Sequence, residues 1–446
     1  MSTFSVSGLI SGIDYSSMID QIIELERQPI ALKETRQNAY ETKISKYGEL
    51  SSKLDALKIA AEGLKTSTGF YSRAAEAGDE TIFNASASSS ATEGNYTIVV
   101  TLLAQAHRIA SAPVEAETST VASGSGNFSF QVGDGEAVTI AVDATTTLEG
   151  LAAAINTATD EAEASVINDG TGYRLVLKSG ISGAGNAITV TENATALGLP
   201  TGPVAGGQEL QAAQDAAFTI DGLSMTRSTN TVEGAISGVS ITLKKAGTST
   251  LSVTNDTEAI QEKIEAFVSA YNEVVTLISS NSAYNSNTKT ASAFTGEATA
   301  RDIVARLQGI VGTRVSGLSE GLRVLSQIGI GTGPDGTLAI DASVLSEKLA
   351  SDLDGVSKLF NAEGGVAGSV YDYVDGVTDS ISGSIAYRTK GLNSIISKMA
   401  DEIERAEALL AEREEDLIQR FAKLEAIMSS YSTQASYLSS ILSSSE

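Results

Sequence analysis

The sequence has 446 residues, 42% of them hydrophobic and 19% charged, which allows two to four domains in a soluble, folded chain. Its formal net charge of −25 disfavours nucleic acid and anionic lipid as partners, because both repel an acidic surface. With no Cys and a single His, the chain also lacks the residues for disulfides, thiolate chemistry, Cys/His zinc sites and His-based catalytic triads.

The N-terminal region shows no pattern of a membrane anchor or secretory signal. The first basic residue is Arg27, and no apolar run anywhere approaches the length of about 18 residues that a membrane span needs. We therefore expect neither a transmembrane segment nor a cleavable signal peptide. If the protein functions outside the cell, it must then be exported by a route that does not depend on such a signal.

Two helical segments are predicted near the N-terminus, with Pro29 as a break or kink between them. Asp14 and the Ser16/Ser17 pair are candidate N-caps of the first segment. Its apolar residues are Ile19, Ile22, Ile23 and Leu25. In the second segment apolar residues recur about every 3.5 positions, at Tyr40, Tyr47, Leu50, Leu54, Leu57, Ala61 and Leu64.

The middle of the chain combines strand patterns with turn signals. Residues 96–111 begin with an alternation that places Tyr96, Ile98, Val100 and Leu102 on one face of a strand. Hairpin turns are predicted at GDG (133–135), at NDG (168–170) and at Asp221 and Gly222, and two strands flank Ala246 and Gly247. Thr147 is the predicted cap of a helix over 148–156.

Helical periodicity returns at Thr257. One buried face is predicted from the helical spacing of Ile260, Ile264, Phe267, Val268, Tyr271, Val274, Val275 and Ile278. A short helix is expected over 301–311, and residues 336–360 predict a strand, an Asp/Ser cap and a helix.

Residues 395–442 predict one amphipathic helix, about 70 Å long at 1.5 Å per residue. Its seam repeats every 3.5 residues on average, at Ile396, Met399, Ile403, Ala406, Leu410, Arg413, Leu417, Arg420, Leu424, Ile427, Tyr431, Gln434, Leu438 and Ile441. Because an isolated helix is marginal in water, this seam requires a partner helix, and the N-terminal repeat is the candidate. Arg413 and Arg420 weaken the seam, which favours fraying there or docking on a second chain.

The sequence thus predicts an α+β multidomain fold. Its N- and C-terminal helices form a long antiparallel coiled-coil stalk, with a β-rich two-part head inserted between them; the alternative is a pair of core helices in one globular domain. The expected segments are an N-terminal leg (1–38), a stalk helix (39–78), two parts of one β head domain (79–118 and 205–256), a second β head domain inserted between those parts (119–204), a helical stalk domain (257–424) and a C-terminal leg (425–446). The predicted seam and partner interface consists of Ile19, Ile22, Tyr47, Leu50, Leu54, Leu57, Leu64, Ile396, Met399, Ile403, Leu410, Leu417, Leu424, Ile427, Leu438 and Ile441.

No residue set predicts catalysis, a cofactor or a metal site. GTGPDG at 331–336 has the letters of a dinucleotide loop, but a strand follows it and Pro334 removes a backbone donor, so a turn is predicted. Asp335 and Asp341 lack the loop of a calcium site. Glu414 and Glu415 lie in an acidic run that is typical of a solvated helix face. His107 is interpreted as a surface or packing residue, since no second His is available.

Three stretches resemble the flagellar cap protein family. The phrase SGLISGID at 7–14 with Glu26, Arg27, Gln28 and Pro29 is similar to the N-terminus of that family, and FVSAYNEVV at 267–275 is similar to its C-terminal half. Residues 138–156 followed by 172–179 resemble the IN motif that recurs in flagellins and their caps.

The resemblance implies a non-enzymatic cap at the distal tip of the flagellar filament, which promotes folding and insertion of exported flagellin and prevents its leakage. It also implies a homo-oligomeric ring, expected to be a pentamer, with flagellin and an export chaperone as partners, no cofactor, and neither nucleic-acid binding nor membrane insertion. Two alternatives remain open at this point. One is another flagellar axial protein, either flagellin or a hook–filament junction protein, and the other is a secreted adhesin or acidic enzyme on a helical stalk.

Overall fold

The computed structural model describes residues 14–199, 208–287 and 289–443. The chain forms two compact units: unit 1 comprises the described residues up to Phe70 and from Gln261 onward, and unit 2 comprises Tyr71–Ile260. The α-helices are α1 (Tyr15–Glu62), α2 (Ser67–Phe70), α3 (Leu148–Ala158), α4 (Thr257–Ser282), α5 (Ala298–Gly312), α6 (Ala342–Ser351), α7 (Leu353–Asn361), α8 (Val366–Thr378) and α9 (Ser384–Ser443). The predicted fold class is confirmed, with long helices towards both chain ends and a β-rich middle.

The strands of unit 2 are β1 (Arg73–Ala77), β2 (Phe83–Ala87), β3 (Gly94–Leu102), β4 (Ala106–Ala110), β5 (Gly126–Val132), β6 (Val138–Val142), β7 (Ala162–Asn168), β8 (Tyr173–Ser182), β9 (Ile188–Asn193), β10 (Gln208–Gln211), β11 (Ala216–Ile220), β12 (Leu223–Arg227), β13 (Thr231–Ile236), β14 (Val239–Leu243) and β15 (Gly247–Asn255). Unit 1 adds two short hairpins, β16 (Tyr284–Asn285) with β17 (Thr290–Ala291), and β18 (Ile330–Thr332) with β19 (Leu338–Ile340). Short 3-10 helices cover Ala184–Asn186 and Leu325–Ile328.

Unit 2 contains two hydrophobic cores. Sheets β1-β15-β3-β11-β12 and β13-β14-β2 enclose the first, which includes Phe83, Ile98 and Phe218. Sheets β10-β4-β8-β7 and β6-β5-β9 enclose the second together with α3, and Phe128 and Phe130 are fully buried there. The two cores account for a β-rich region in two parts.

The predicted turns of unit 2 are present. GDG joins β5 to β6, NDG joins β7 to β8, and Asp221 with Gly222 joins β11 to β12, each pair antiparallel. Thr147 caps α3 by accepting a hydrogen bond from the Gly150 N–H at 3.1 Å. The strands on either side of Ala246 are β14 and β15, but they belong to different sheets and do not pair with each other.

The prediction for Leu102 is wrong. Ile98 and Val100 are buried as expected, whereas the Leu102 side chain is 46% exposed. The register of β3 with β11 shifts between Val100 and Leu102, so a bulge interrupts the alternation of side chains. Leu102 therefore leaves the core face that the period-two pattern assigned to it.

The predicted break at Pro29 is also wrong, because α1 runs without interruption from Tyr15 to Glu62. Pro29 lacks the N–H that would bond the Leu25 carbonyl, and Pro29 and Leu25 are both exposed. Solvent can therefore satisfy that carbonyl without unwinding the helix. Asp14 is the N-cap as predicted, accepting from the Ser17 N–H at 3.0 Å.

The core of unit 1 is formed largely by α1, α4, α5, α7 and α8. Every predicted face residue of α4 from Ile260 to Ile278 is buried. Aromatic contacts fix the packing: the centroids of Phe70 and Phe360 lie 6.0 Å apart, and Phe267 meets Phe360 edge to face at 6.1 Å. Within the described part of the chain, no helix is long and apolar enough to cross a bilayer.

Candidate interaction surface of the terminal helices

Helices α1 and α9 pair antiparallel in unit 1. Tyr15 at the start of α1 stacks on Phe421 with ring centroids 5.0 Å apart. Further along, Arg27 Nη2 lies 3.3 Å from Glu407 Oε1, and Lys33 Nζ lies 2.8 Å from Glu402 Oε2. As the residue numbers rise along α1, the residue numbers of the contacting side chains on α9 fall. These contacts give the antiparallel register of the two helices.

A buried carboxylate joins the two helices to α5. Glu297, the residue before α5, has a side chain only 5% exposed. It accepts hydrogen bonds from Arg388 Nε at 2.7 Å and Nη2 at 2.8 Å, from Lys43 Nζ at 2.8 Å and from the Tyr47 hydroxyl at 3.0 Å. We call these four residues the Glu297 cluster. It brings together α1, the start of α5 and α9.

The cluster shifts the pKa values of Glu297, Tyr47 and Arg388. Hydrogen bonds from Arg388 and Lys43 outweigh burial and lower the pKa of Glu297 to about 2. Burial, followed by the Glu297 charge, raises the pKa of Tyr47 to about 12. Hydrogen bonding to Glu297 also raises the pKa of Arg388. The cluster therefore keeps its charges across the physiological pH range.

The predicted interface residues of the N-terminal region fall into two environments. Ile19 is buried and Ile22 is half-buried, in the part of α1 that pairs with α9. The remaining members lie in the core of unit 1, where the second half of α1 packs against α8; Tyr47, Leu50, Leu54, Leu57 and Leu64 are all fully buried. These five residues are not available to a partner in this structure.

The predicted seam of α9 also divides into two parts. Up to the contact of Phe421 with Tyr15 its members are half-buried, at Ile396, Met399, Ile403, Leu410 and Leu417. Beyond that contact they are exposed: Leu424 is 42% exposed, Ile427 52%, Leu438 59% and Ile441 47%. We call these last four residues, together with Tyr431 at 63%, the distal stripe.

The two arginines of the seam form ion pairs. Arg413 Nε lies 3.8 Å from Glu26 Oε1 on α1, and Arg420 Nε lies 2.8 Å from Asp416 Oδ2 on α9 itself. All of these side chains are at least 41% exposed, so each pair contributes little to stability. Two positions of the seam are therefore occupied by charged side chains in exposed ion pairs, next to the apolar contact of Tyr15 with Phe421.

The distal stripe combines apolar spacing with neutrality. Its members are spaced three, four, seven and three residues apart, which places them on one side of α9. Residues 426–443 carry no charged side chain, although the chain as a whole has a net charge of −25. A helix with this pattern can pair with another apolar helix without long-range repulsion.

The other sequence motifs have structural roles. GTGPDG forms the turn between β18 and β19, where Gly336 N–H donates to the Gly333 carbonyl at 3.0 Å. Asp335 and Asp341 accept from Thr337 and Ser343, and these hydrogen bonds lower the pKa of both carboxylates. Within residues 14–199, 208–287 and 289–443, no group of three or more His, Asp and Glu is arranged to hold a metal.

Sequence reasoning missed the Glu297 cluster. Its members are far apart in the chain, and Glu297 stands between two predicted elements without a repeat or motif. The one available signal was Gly296 followed by an acid at a helix start, which is common and does not indicate burial.

Comparison with known proteins gives consistent matches. The family described as "Flagellar hook-associated protein 2 C-terminus" matches residues 213–433, the corresponding N-terminus family matches 11–107, and the family "Flagellin hook IN motif" matches 127–180. Flagellar hook-associated protein 2 of Escherichia coli K12 is 30% identical over 98% of both chains. The B-type protein of Pseudomonas aeruginosa is 29% identical over 94% of this chain and 93% of that protein.

A solved structure matches as well. The crystal structure of the D1-D2-D3 domains of the flagellar cap protein FliD from Escherichia coli superposes with a TM-score of 0.65 and 31% identity. The match covers 78% of this chain and 99% of that one.

Proposed function

The chain belongs to the family of flagellar hook-associated protein 2, and we propose that it caps the distal tip of the flagellar filament. There it forms a homo-oligomeric ring, a pentamer, that promotes folding and insertion of exported flagellin and prevents its leakage. The role is structural and requires no catalytic residue or cofactor. Family membership and similarity to a protein named as a flagellar cap support this proposal.

The observation that carries the mechanism is the distal stripe of α9. Leaving a large aliphatic side chain in water forgoes about 1.5 to 3 kcal/mol of burial free energy, so a row of them at coiled-coil spacing favours association with another helix. The described part of α1 begins at Tyr15, which contacts Phe421, so it does not cover the α9 residues that follow Phe421. We infer that residues 425–446 act as a leg, and that the distal stripe, which begins one residue before the leg at Leu424, contacts helices of flagellin or of neighbouring cap subunits.

The weak contact near Arg413 and Arg420 fits a reversible leg. A cap must release its contacts each time a subunit is inserted beneath it, and a dry, continuous zipper would oppose that release. Exposed ion pairs contribute only about 0 to 1 kcal/mol and exchange readily with water. The mixed seam therefore holds the helices in register near the Glu297 cluster and allows rearrangement further along.

The remaining assignments extend the same proposal. Residues 1–38 form the N-terminal leg, of which 1–13 lie outside the described residues, and 39–78 with 257–424 form the helical stalk. Residues 79–118 and 205–256 form one head domain and 119–204 form a second. The protein reaches the filament tip with an export chaperone and without a cleaved signal peptide, and it neither inserts in membrane nor binds nucleic acid.

The test replaces the stripe in the full-length protein and measures capping in cells that lack their own cap. The variant Leu424→Gln/Ile427→Gln/Leu438→Gln keeps helix-forming residues but removes three of the five apolar side chains of the stripe. We expect short or absent filaments, flagellin in the medium and loss of motility, with unfolding of the purified protein unchanged.

A matched control carries Ile59→Gln, Ile395→Gln and Leu409→Gln. These residues lie on α1 and α9 and are 70%, 37% and 67% exposed, but they lie outside the stripe and outside both legs. This variant should retain capping. Normal filaments with the stripe variant, or equal loss with both variants, would contradict the assigned leg. Long filaments grown from the purified protein alone would instead indicate a flagellin-like subunit.

A further inference from the structure

His107 occupies a junction between two sheets of unit 2. It is the one histidine of the chain, and its side chain on β4 is only 9% exposed. The backbone N–H of Ile188, on β9, donates to His107 Nδ1 at 2.9 Å. On the other side of the imidazole, Nε2 lies 3.3 Å from Glu209 Oε1 on β10. Strands β4 and β9 belong to different sheets, so the imidazole links them.

The geometry fixes the protonation of the imidazole. A backbone N–H can only donate, so Nδ1 must present its lone pair to Ile188. The ring hydrogen of neutral His107 then sits on Nε2 and points to the Glu209 carboxylate. A second proton would have to bind Nδ1, which would turn the acceptor into a donor facing another donor. The protonated imidazole cannot keep the bond to Ile188.

The surrounding charges do not cancel this effect. Among the residues that the structure describes, Glu209 is the charged side chain within hydrogen-bonding distance of the imidazole. On β4 itself Arg108 is exposed, and on β8 its register partner Lys178 pairs with Glu163. On β9 the Glu192 carboxylate accepts from side chains of β5.

We propose that His107 is a proton-operated joint: proton uptake breaks the hydrogen bond from Ile188 and so releases β9 from β4. Two opposing terms decide the direction. An unpaired buried N–H shifts the equilibrium towards opening by roughly ten- to a hundredfold. Glu209 is 35% exposed, and a pair of that kind with the imidazolium favours the closed form by about fivefold at most. The effect of the unpaired N–H is larger than that of the ion pair, so protonation of His107 favours the open form.

Two substitutions of His107 distinguish opening that is caused by its protonation from a general sensitivity of unit 2 to acid. His107→Asn places an amide oxygen near the site of Nδ1, where it accepts from Ile188 at any pH. His107→Phe keeps a flat ring but removes the acceptor. The first variant should hold the joint closed at all pH values, and the second should leave it open at all pH values.

The experiment uses the full-length chain between pH 8 and pH 5. Imidazole NMR signals report proton uptake without ambiguity, because there is one histidine. Amide hydrogen exchange, corrected for its intrinsic pH dependence, is followed at Ile188 and compared with Val190, which pairs with Phe130 of β5 on the same strand. We expect protection at Ile188 to fall about two- to twentyfold as the imidazole protonates, and to stay constant in His107→Asn.

Four results would contradict the proposal. Protection at Ile188 could remain constant while the imidazole takes up its proton. The Asn variant could lose protection as the unaltered protein does. The imidazole could stay neutral until unit 2 unfolds, in which case the proton is not its ligand. A fall at Val190 equal to that at Ile188 would indicate general unfolding and would also count against the proposal.

Discussion

Replacing the buried carboxylate of the Glu297 cluster tests how the terminal helices are held together. Glu297→Gln keeps the size of the side chain and removes its charge. Arg388 and Lys43 then lose their shared anionic partner, although both are partly buried, with side chains 33% and 21% exposed. Breaking such a pair is costly because it leaves a desolvated charge without compensation.

The magnitude follows from the titration of Glu297. Its pKa falls from 4.5 to about 2 in the folded protein. That depression corresponds to about 3 kcal/mol of stability at neutral pH, since one unit is worth about 1.4 kcal/mol. Because the folded pKa is the lower one, this contribution is fully present above pH 4.5. It declines as the pH falls towards 2 and is absent below that value.

The assay is urea unfolding followed by far-ultraviolet circular dichroism, which reports chiefly on unit 1 because most of the helical residues belong to it. At pH 7 the substitution should lower the free energy of unfolding by about 3 kcal/mol, and the difference should shrink steadily below pH 4.5. Glu402→Gln is the control, because Glu402 pairs with Lys33 but is 50% exposed and should cost less than about 1 kcal/mol. Equal effects of both substitutions, or a Glu297→Gln effect as large at pH 2.5 as at pH 7, would refute the reasoning.

Three further substitutions, two of them paired with a control variant, test the assignment of core, cluster and cap by the same unfolding measurement. Leu54→Ala should cost about 2 to 5 kcal/mol since Leu54 is fully buried, whereas Leu424→Ala, at a 42% exposed position, should stay within about 0.5 kcal/mol. Tyr47→Phe should cost about 1.5 to 3 kcal/mol, because its hydroxyl donates to a charged acceptor. Asp341→Ala should cost about 1 kcal/mol by removing the cap of α6, and Asp341→Asn should recover most of it.

The local features of the fold could be predicted because their causes are local. Asp14, Thr147 and Asp341 cap helices in the structure with the side-chain oxygen that each residue type provides. Asp221 has a positive φ of 50° and Gly222 one of 82°, which is the conformation that an Asp-Gly turn predicts. Such features depend on a few neighbouring residues and survive in any tertiary context that tolerates them.

The Glu297 cluster, the Leu102 bulge and the path of α1 through Pro29 depend on residues far away in sequence. Burial of Glu297 requires donors from residues 43, 47 and 388 to converge, and no single stretch encodes that meeting. The exposure of Leu102 depends on its register with β11, a strand more than a hundred residues later. Pro29 is tolerated because the facing carbonyl lies on the solvent side. Propensity alone cannot reveal any of these.

The exposed part of the long seam follows from the register of α1 with α9. Because Tyr15 meets Phe421, each further residue of α9 extends beyond the described start of α1, and about 20 residues at 1.5 Å each amount to roughly 30 Å of helix. A periodic apolar pattern indicates that one face of a helix is buried, but it does not indicate which surface covers that face. In α1 the same repeat is covered by the unit's own helices at Leu50 and Leu54, whereas in α9 it continues to Ile441 with 47% of that side chain exposed. The same apolar periodicity therefore marks two different surfaces. The one on α1 is internal, and we assign the one on α9 to assembly.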